Sequence, residues 1–179
     1  MHRVLLGISL LFLLGCKETD KKEEATAVPP METNKKEPKK DIGLTIYDFN
    51  GLEPLLNKKD ENTYVINFWA TWCGPCIAEL PYFEKINETY KKDNVEVVLV
   101  SLDMPKMWES HLIPFIKKKD LKSKVVILDD PKQNVWISKI DPDWSGAIPA
   151  TLIYNKDKRT FYERSFTYDE LVEQINIHK

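Results

Sequence analysis

Three features of the sequence predict an α/β fold with a central mixed β-sheet flanked by helices. Apolar, β-branched runs alternate with segments whose apolar residues recur every three or four positions. The last such run folds back as a hairpin, and the chain closes on a helical pattern. At 179 residues, with 42% hydrophobic and 11% aromatic content, the chain suits one medium domain plus appendages. A formal net charge of -2 supplies no concentrated basic face, which argues against nucleic acid as a partner.

The first residues read "MHRVLLGISLLFLLGCKETD". Arg3 lies in a short basic start, residues 4–14 are apolar, and Gly15 precedes Cys16. This pattern predicts an export signal over residues 1–15, because the apolar stretch falls short of the ~20 residues a permanent membrane helix needs. Residues 17–40 are rich in Lys, Glu, Thr and Pro with almost nothing apolar. They cannot bury enough surface to offset chain entropy, so residues 16–40 are expected to be a disordered tether and 41–179 the folded domain.

Within the domain, "LTIY" (44–47) reads as a short strand and "GLEPLLNKK" as a turn of helix or an irregular link. "YVINFWA" (64–70) is apolar nearly throughout, as in a strand covered on both faces at the sheet centre. From about Gly74, Ile77, Leu80, Phe83, Ile86 and Tyr90 mark an amphipathic helix. Pro75 suits its first turn and Pro81 is expected to kink it. "VEVVLVSLD" (95–103) is a second buried strand, followed by a helix from about Lys106 to Lys119. "KVVILDD" is a third strand and "KQNVWISKI" a short helix. "ATLIYNKDKRTFYERSF" forms a hairpin turning at Asn155 to Lys158, and a last helix runs from about Tyr168 to Ile177. There is no internal repeat and no Gly-rich phosphate loop.

The chemistry-bearing motif is "WCGPC", Trp72 to Cys76, which holds two of the three cysteines. Zinc would need four ligands, and only His111 and His178 lie beyond the signal outside this motif and Cys16. A structural disulfide over so short a loop would remove little entropy from the unfolded chain. A redox couple explains the spacing. Cys73 just before the first helical turn would have its thiolate stabilised by unpaired amides and the helix dipole, with Cys76 one turn further in. Gly74 permits close backbone approach, and Pro75 stiffens the loop. The Cys73 thiolate would attack a substrate disulfide and Cys76 would resolve the mixed disulfide. "SGAIPATLIY" adds Pro149 just before a strand.

Strand, Trp72-Cys73-Gly74-Pro75-Cys76 and helix, together with Ile148-Pro149-Ala150-Thr151, resemble the thioredoxin superfamily. More narrowly they resemble the membrane-anchored TlpA/ResA-like thiol-disulfide oxidoreductases of bacterial envelopes. The likeness spans residues 41–179, with "NFWATWCGPCIAELP" its most specific segment. It implies a thioredoxin-like fold, a redox-active Cys73-Cys76 disulfide and a cis Pro149. Ile148 would offer backbone hydrogen bonds to an extended substrate, which Trp72, Gly74, Pro75 and Pro149 would border. Leu13-Leu14-Gly15-Cys16 resembles the lipobox of bacterial lipoproteins, which implies lipidation of Cys16 and a membrane-anchored protein facing the periplasm.

Cytosolic thioredoxin carries a buried aspartate where this chain has Asn67, so another group must accept the proton of the second thiol. Glu79, three residues after Cys76, is the candidate by resemblance to the TlpA-like proteins. The opposing reading makes it a solvated carboxylate on the helix surface. Trp69 is expected in the core and Trp72 beside Cys73. Trp144 either lines a substrate groove or covers a core edge, and His111 is expected to be structural.

Gly-Pro between the cysteines resembles reducing thioredoxins, near about -270 mV, more than strong oxidants near about -120 mV. The expected activity is therefore reduction of protein disulfides without a bound cofactor or metal. The resemblance implies envelope proteins as substrates, apocytochrome c among the candidates, and a membrane thiol-electron donor as partner. Two alternatives differ in class. A thiol peroxidase would normally show Pro-x-x-x-Thr-x-x-Cys, whereas Ala70-Thr71-Trp72 leads into Cys73 without that proline. A redox-inactive, lipid-anchored polypeptide-binding module would leave the cysteines incidental.

Overall fold

The run "TYVINFW" forms a strand with no exposed side chain, and that burial sets the architecture around it. Strand β2 (Thr63–Trp69) places Val65 and Trp69 on one face and Tyr64, Ile66 and Phe68 on the other, each face packed into its own apolar cluster. The computed structural model describes residues 43–179. The signal segment, Cys16, the tether and residues 41–42 lie outside the described residues.

Among the described residues a six-stranded sheet has the order β1-β4-β3-β2-β5-β6. Strands β1 (Thr45–Tyr47), β4 (Lys124–Leu128), β3 (Val95–Ser101) and β2 run parallel, while β5 (Ala150–Tyr154) and β6 (Arg159–Tyr162) are antiparallel to their neighbours. The sheet is mixed, as the order of elements predicts. On one face lie α2 (Gly74–Tyr90), Leu112 before α3 (Ile113–Lys119), and α5 (Tyr168–Ile177). The other face is covered by α1 (Phe49–Leu52) with a 3-10 turn over Glu53–Leu56, and by α4 (Gln133–Ile140).

Helix α2 continues through Pro81, whose ring nitrogen has no hydrogen to donate. The helix expected from Lys106 to Lys119 is instead a 3-10 turn (Pro105–Met107), a π-helical turn (Trp108–Leu112) and then α3. Pro114 gives the physical reason. It supplies no amide for the carbonyl four residues back, and the wider turn before it bonds the Ile113 amide to the Trp108 carbonyl instead.

Asn155 closes the hairpin by accepting the Asp157 and Lys158 amides on Oδ1 at 2.8 and 2.7 Å. Helix α5 opens with a capping box. The Thr167 side chain accepts the Glu170 amide, and the Glu170 carboxylate accepts the Thr167 amide at 2.8 Å. Thr167→Ala is therefore expected to cost about 1 kcal/mol of unfolding free energy. Urea titration at pH 7 checks this, and an unchanged midpoint would mean that the cap contributes nothing.

Candidate active site

At the end of β2 the chain turns through Ala70, Thr71 and Trp72. The turn is pinned from just beyond β3: Asp103 accepts from the Thr71 amide at 3.2 and 3.1 Å, from the Thr71 hydroxyl at 2.5 Å and from Ser101 Oγ at 2.9 Å. Asp103 is buried, and those donors satisfy its side-chain oxygens. Cys73 follows as the N-cap of α2, with extended φ and ψ of -93° and 100°. Its Sγ accepts the Cys76 amide at 3.2 Å, so the sulfur occupies the place of a capping oxygen. An N-cap site concentrates unpaired amides and the positive end of the helix dipole on one atom, which favours the thiolate once the pair is reduced.

Cys73 and Cys76 form a disulfide, with their Cα atoms 5.3 Å apart. Cys76 is fully buried and Cys73 is 6% exposed, whereas Trp72 is 57% exposed. The outer sulfur is thus more covered than the expectation of an open nucleophile suggests. Trp72, Gly74 and Pro75 around it are all exposed. A Cβ on Gly74 would meet nothing within 4 Å, so internal packing does not demand a glycine there and the surface in front of the disulfide is left clear.

The second wall is the segment before β5. The Ile148-Pro149 peptide bond is cis, and the Ile148 carbonyl oxygen lies 3.7 Å from Cys73 Sγ. This segment is held from behind. Trp144 Nε1 donates to the Ala147 carbonyl at 2.8 Å, and the Ser145 amide donates to Glu163 at 3.0 Å. Gly146 has φ +93°, and a Cβ there would approach Ile137 to 3.0 Å, so glycine is required. Trp144 itself is buried against Phe68, Trp136 and Phe161. Of its two sequence readings the structure selects the core edge. Trp69 is fully buried, as expected.

Glu79 is not a solvated surface carboxylate. It is 2% exposed and lies on the buried stripe of α2 with Cys76, Leu80, Phe83 and Ile86. Its Oε1 accepts from Asn67 Nδ2 at 3.0 Å and its Oε2 accepts the Phe166 amide at 2.8 Å. Burial pushes the carboxyl up to about 7, against the opposing pull of these two hydrogen bonds and the Arg164 charge. Asn67, Thr151, Arg164 and the Phe166 amide were not foreseen as its surroundings. Asn67, marked in the sequence only as standing where thioredoxin has its buried aspartate, shares a face of β2 with Val65 and Trp69.

His111 is exposed and shares a hydrogen bond with Ser110 Oγ at 2.8 Å. Among the described residues, no group of three or more His, Cys, Asp and Glu is placed to hold a metal ion. Nor is any helix among them long and apolar enough to cross a membrane.

The AhpC/TSA family profile matches residues 42–160, more than half of the chain, including Cys73, Cys76, Glu79 and the Ile148-Pro149 segment. The chain belongs to the AhpC/TSA family. Within the thioredoxin superfamily, this AhpC/TSA domain is similar to proteins named thiol-disulfide oxidoreductase ResA. One, from Oceanobacillus iheyensis, is 56% identical over 39 residues, covering 22% of this chain and 20% of that protein. Another, from Bacillus thuringiensis subsp. konkukian, is 28% identical over 133 residues, covering 72% of each. The first relative is thus spanned over far less than two thirds of its length. The crystal structure of StoA from Bacillus subtilis shares the fold, with a TM-score of 0.51 and 22% identity over 66% of this chain and 84% of that one. The family domain therefore has the thioredoxin-like fold that the sequence predicts.

Proposed function

We propose that this chain is a thiol-disulfide oxidoreductase that reduces protein disulfides through Cys73 and Cys76, with Glu79 as proton acceptor. The single observation that carries the reading is the stacking of the three groups at the start of α2. A sulfur caps the helix, a second sulfur lies buried one turn in, and a buried carboxyl follows on the same stripe. The ResA name carried by relatives supports it.

In the reduced protein the Cys73 thiolate attacks one sulfur of a substrate disulfide. The S–S bond breaks, Cys73 is joined to that sulfur, and the other leaves as a thiolate that takes a proton from water. Cys76 then gives its proton to the Glu79 carboxylate and attacks Cys73 Sγ. The Cys73-Cys76 bond forms and the second substrate sulfur is expelled, so two electrons have passed from the dithiol to the substrate. A carboxyl with a pKa of about 7 exists in both forms near neutrality, the condition under which it can take and return a proton efficiently. Trp72, Gly74, Pro75, Ile148 and Pro149 border the approach. In this reading the Ile148 main chain beside Cys73 Sγ pairs with an extended polypeptide.

The reading extends to residues 1–40 by sequence alone. An export signal over 1–15, acylation of Cys16 and a tether over 16–40 would hold the domain on an envelope membrane, facing the periplasm. Regeneration then needs a membrane thiol-electron donor, and apocytochrome c is one candidate substrate, since its haem-binding cysteines must be reduced before attachment.

Cys76→Ser tests the proposal by trapping. It should leave Cys73 joined to partner proteins in non-reducing gels, in adducts that dithiothreitol releases, whereas Cys73→Ser should trap none. Equal trapping by both variants would overturn the order of attack, and no adduct from either would overturn the activity. Loss of fatty-acid labelling in Cys16→Ser checks the anchor; labelling that persists would place the anchor elsewhere.

A further inference from the structure

Asn67 is fully buried, and its amide is crowded on one side. Nδ2 donates to Glu79 Oε1 at 3.0 Å and to Thr151 Oγ1 at 3.1 Å, with the Ala150 carbonyl 3.5 Å away. On the other side, Oδ1 meets no donor among the described residues. A buried acceptor without a donor is unfavourable and calls for a reason.

We propose that Asn67 is a positioning residue whose amide turns over with the protonation state of Glu79, presenting N–H to the carboxylate and C=O to the acid. The inference rests on the reading of Glu79 as proton acceptor and adds how a buried site accommodates both of its forms. Oε2 is committed to accepting the Phe166 amide, so Oε1 is the oxygen whose neighbour can change role. When Oε1 carries no proton, the amide hydrogens of Asn67 stabilise its charge, which is the arrangement seen. When a proton arrives from Cys76, an N–H facing O–H is poor, and Oδ1 is the acceptor within reach of a half-turn of the amide. Thr151 keeps its partner through the turn, because its hydroxyl accepts from Nδ2 in one orientation and donates to Oδ1 in the other, while the 3.5 Å contact of Nδ2 with the Ala150 carbonyl is given up.

The charged and titratable groups around the carboxyl are few. Arg164, from the segment between β6 and α5, acts on it through its charge. Cys76 lies one turn back on the same helix, and β2 and β5 contribute the neutral Asn67 and Thr151. An aspartate at position 67 would share one proton with Glu79 and split the titration of the pair. The amide keeps a single proton-binding group beneath the sulfurs.

NMR of the oxidised protein, labelled on asparagine side-chain nitrogen and glutamate carboxyl carbon, tests this between pH 5 and 9. The Asn67 amide signals should move with the same midpoint as the Glu79 carboxyl and should stop moving in Glu79→Gln. In Asn67→Leu the Glu79 midpoint should rise by about one pH unit, since the carboxylate loses a donor. The pH profile of disulfide exchange should shift to higher pH by the same amount, which a purely structural role would not produce. Asn67 signals that stay constant while Glu79 titrates in the unmodified protein would overturn the inference, whether or not the variant folds. The turn itself is read from the contacts of the Asn67 amide hydrogens, which should leave Thr151 as Glu79 is protonated; hydrogens that stay beside Thr151 overturn it, and if they leave but Glu79→Gln does not change the exchange profile, the turn stands and the role of Glu79 in proton transfer falls.

Discussion

Cys73→Ser is expected to slow the reduction of insulin disulfides by at least about 10³-fold, as loss of a covalent nucleophile does in other enzymes. The reason is electrostatic rather than steric. A serine oxygen at the same N-cap would still accept the amide that Cys73 Sγ now accepts at 3.2 Å, so the helix keeps its cap. It would remain a neutral hydroxyl at pH 7, whereas a thiol at a helix N-terminus more readily yields the anion that attacks a disulfide. Cys76→Ser should also stop turnover but should still release one equivalent of substrate thiol in a single fast phase, because the first attack needs Cys73 alone. Stopped-flow measurement of thiol release separates the two variants. Turnover of Cys73→Ser within tenfold of the unmodified protein would remove Cys73 from the chemistry. Retained peptide binding in a variant without turnover would bear on the binding-module alternative only if the unmodified protein also failed to turn over.

Glu79→Gln is expected to remove a dependence of stability on pH worth up to about 3 kcal/mol, following from a carboxyl raised from 4.5 to about 7. Between these values the folded protein holds a proton that the unfolded chain has released, so raising the pH disfavours folding. The contribution is fully present below pH 4.5, declines as pH rises through about 7 and is absent above it. Glutamine cannot ionise, so the variant should match the parent near pH 4.5 and exceed it at pH 8. Urea unfolding of both oxidised proteins at pH 4.5, 6 and 8 gives the comparison. Exposed carboxylates held low by hydrogen bonds, such as Glu163 and Glu170, slope the other way, but they are common to both proteins and cancel in the difference. A difference that does not vary with pH would mean that Glu79 is already ionised in the folded state.

How much of this was legible in the sequence differs from residue to residue. Strand β2 was readable because its two-sided burial leaves an almost unbroken apolar run. The turn at Asn155 was readable because the closing side chain lies within the turn itself. The pairing of Cys73 and Cys76 was readable because both lie in a local device, the first turn of one helix. The π-helical turn before α3 was missed because the apolar spacing was weighed without the missing amide of Pro114. The burial of Glu79 was legible only in part. Its position three after Cys76 and one before Leu80 places it on the inward stripe, but a carboxylate there looks costly until its donors are known.

The order of residues by itself determined the mixed sheet, the cysteine pair at a helix start and the side of the helix on which a carboxyl falls, because each follows from spacing along a few turns or a single strand. Only the folded chain decided what Glu79 is. It joins Asn67 from β2, the Phe166 amide from the end of the hairpin and the charge of Arg164 around one carboxyl, partners 12 and 87 residues away in the case of the two hydrogen bonds. The balance between desolvation and those distant donors sets whether the group holds a proton, and no local pattern encodes that sum.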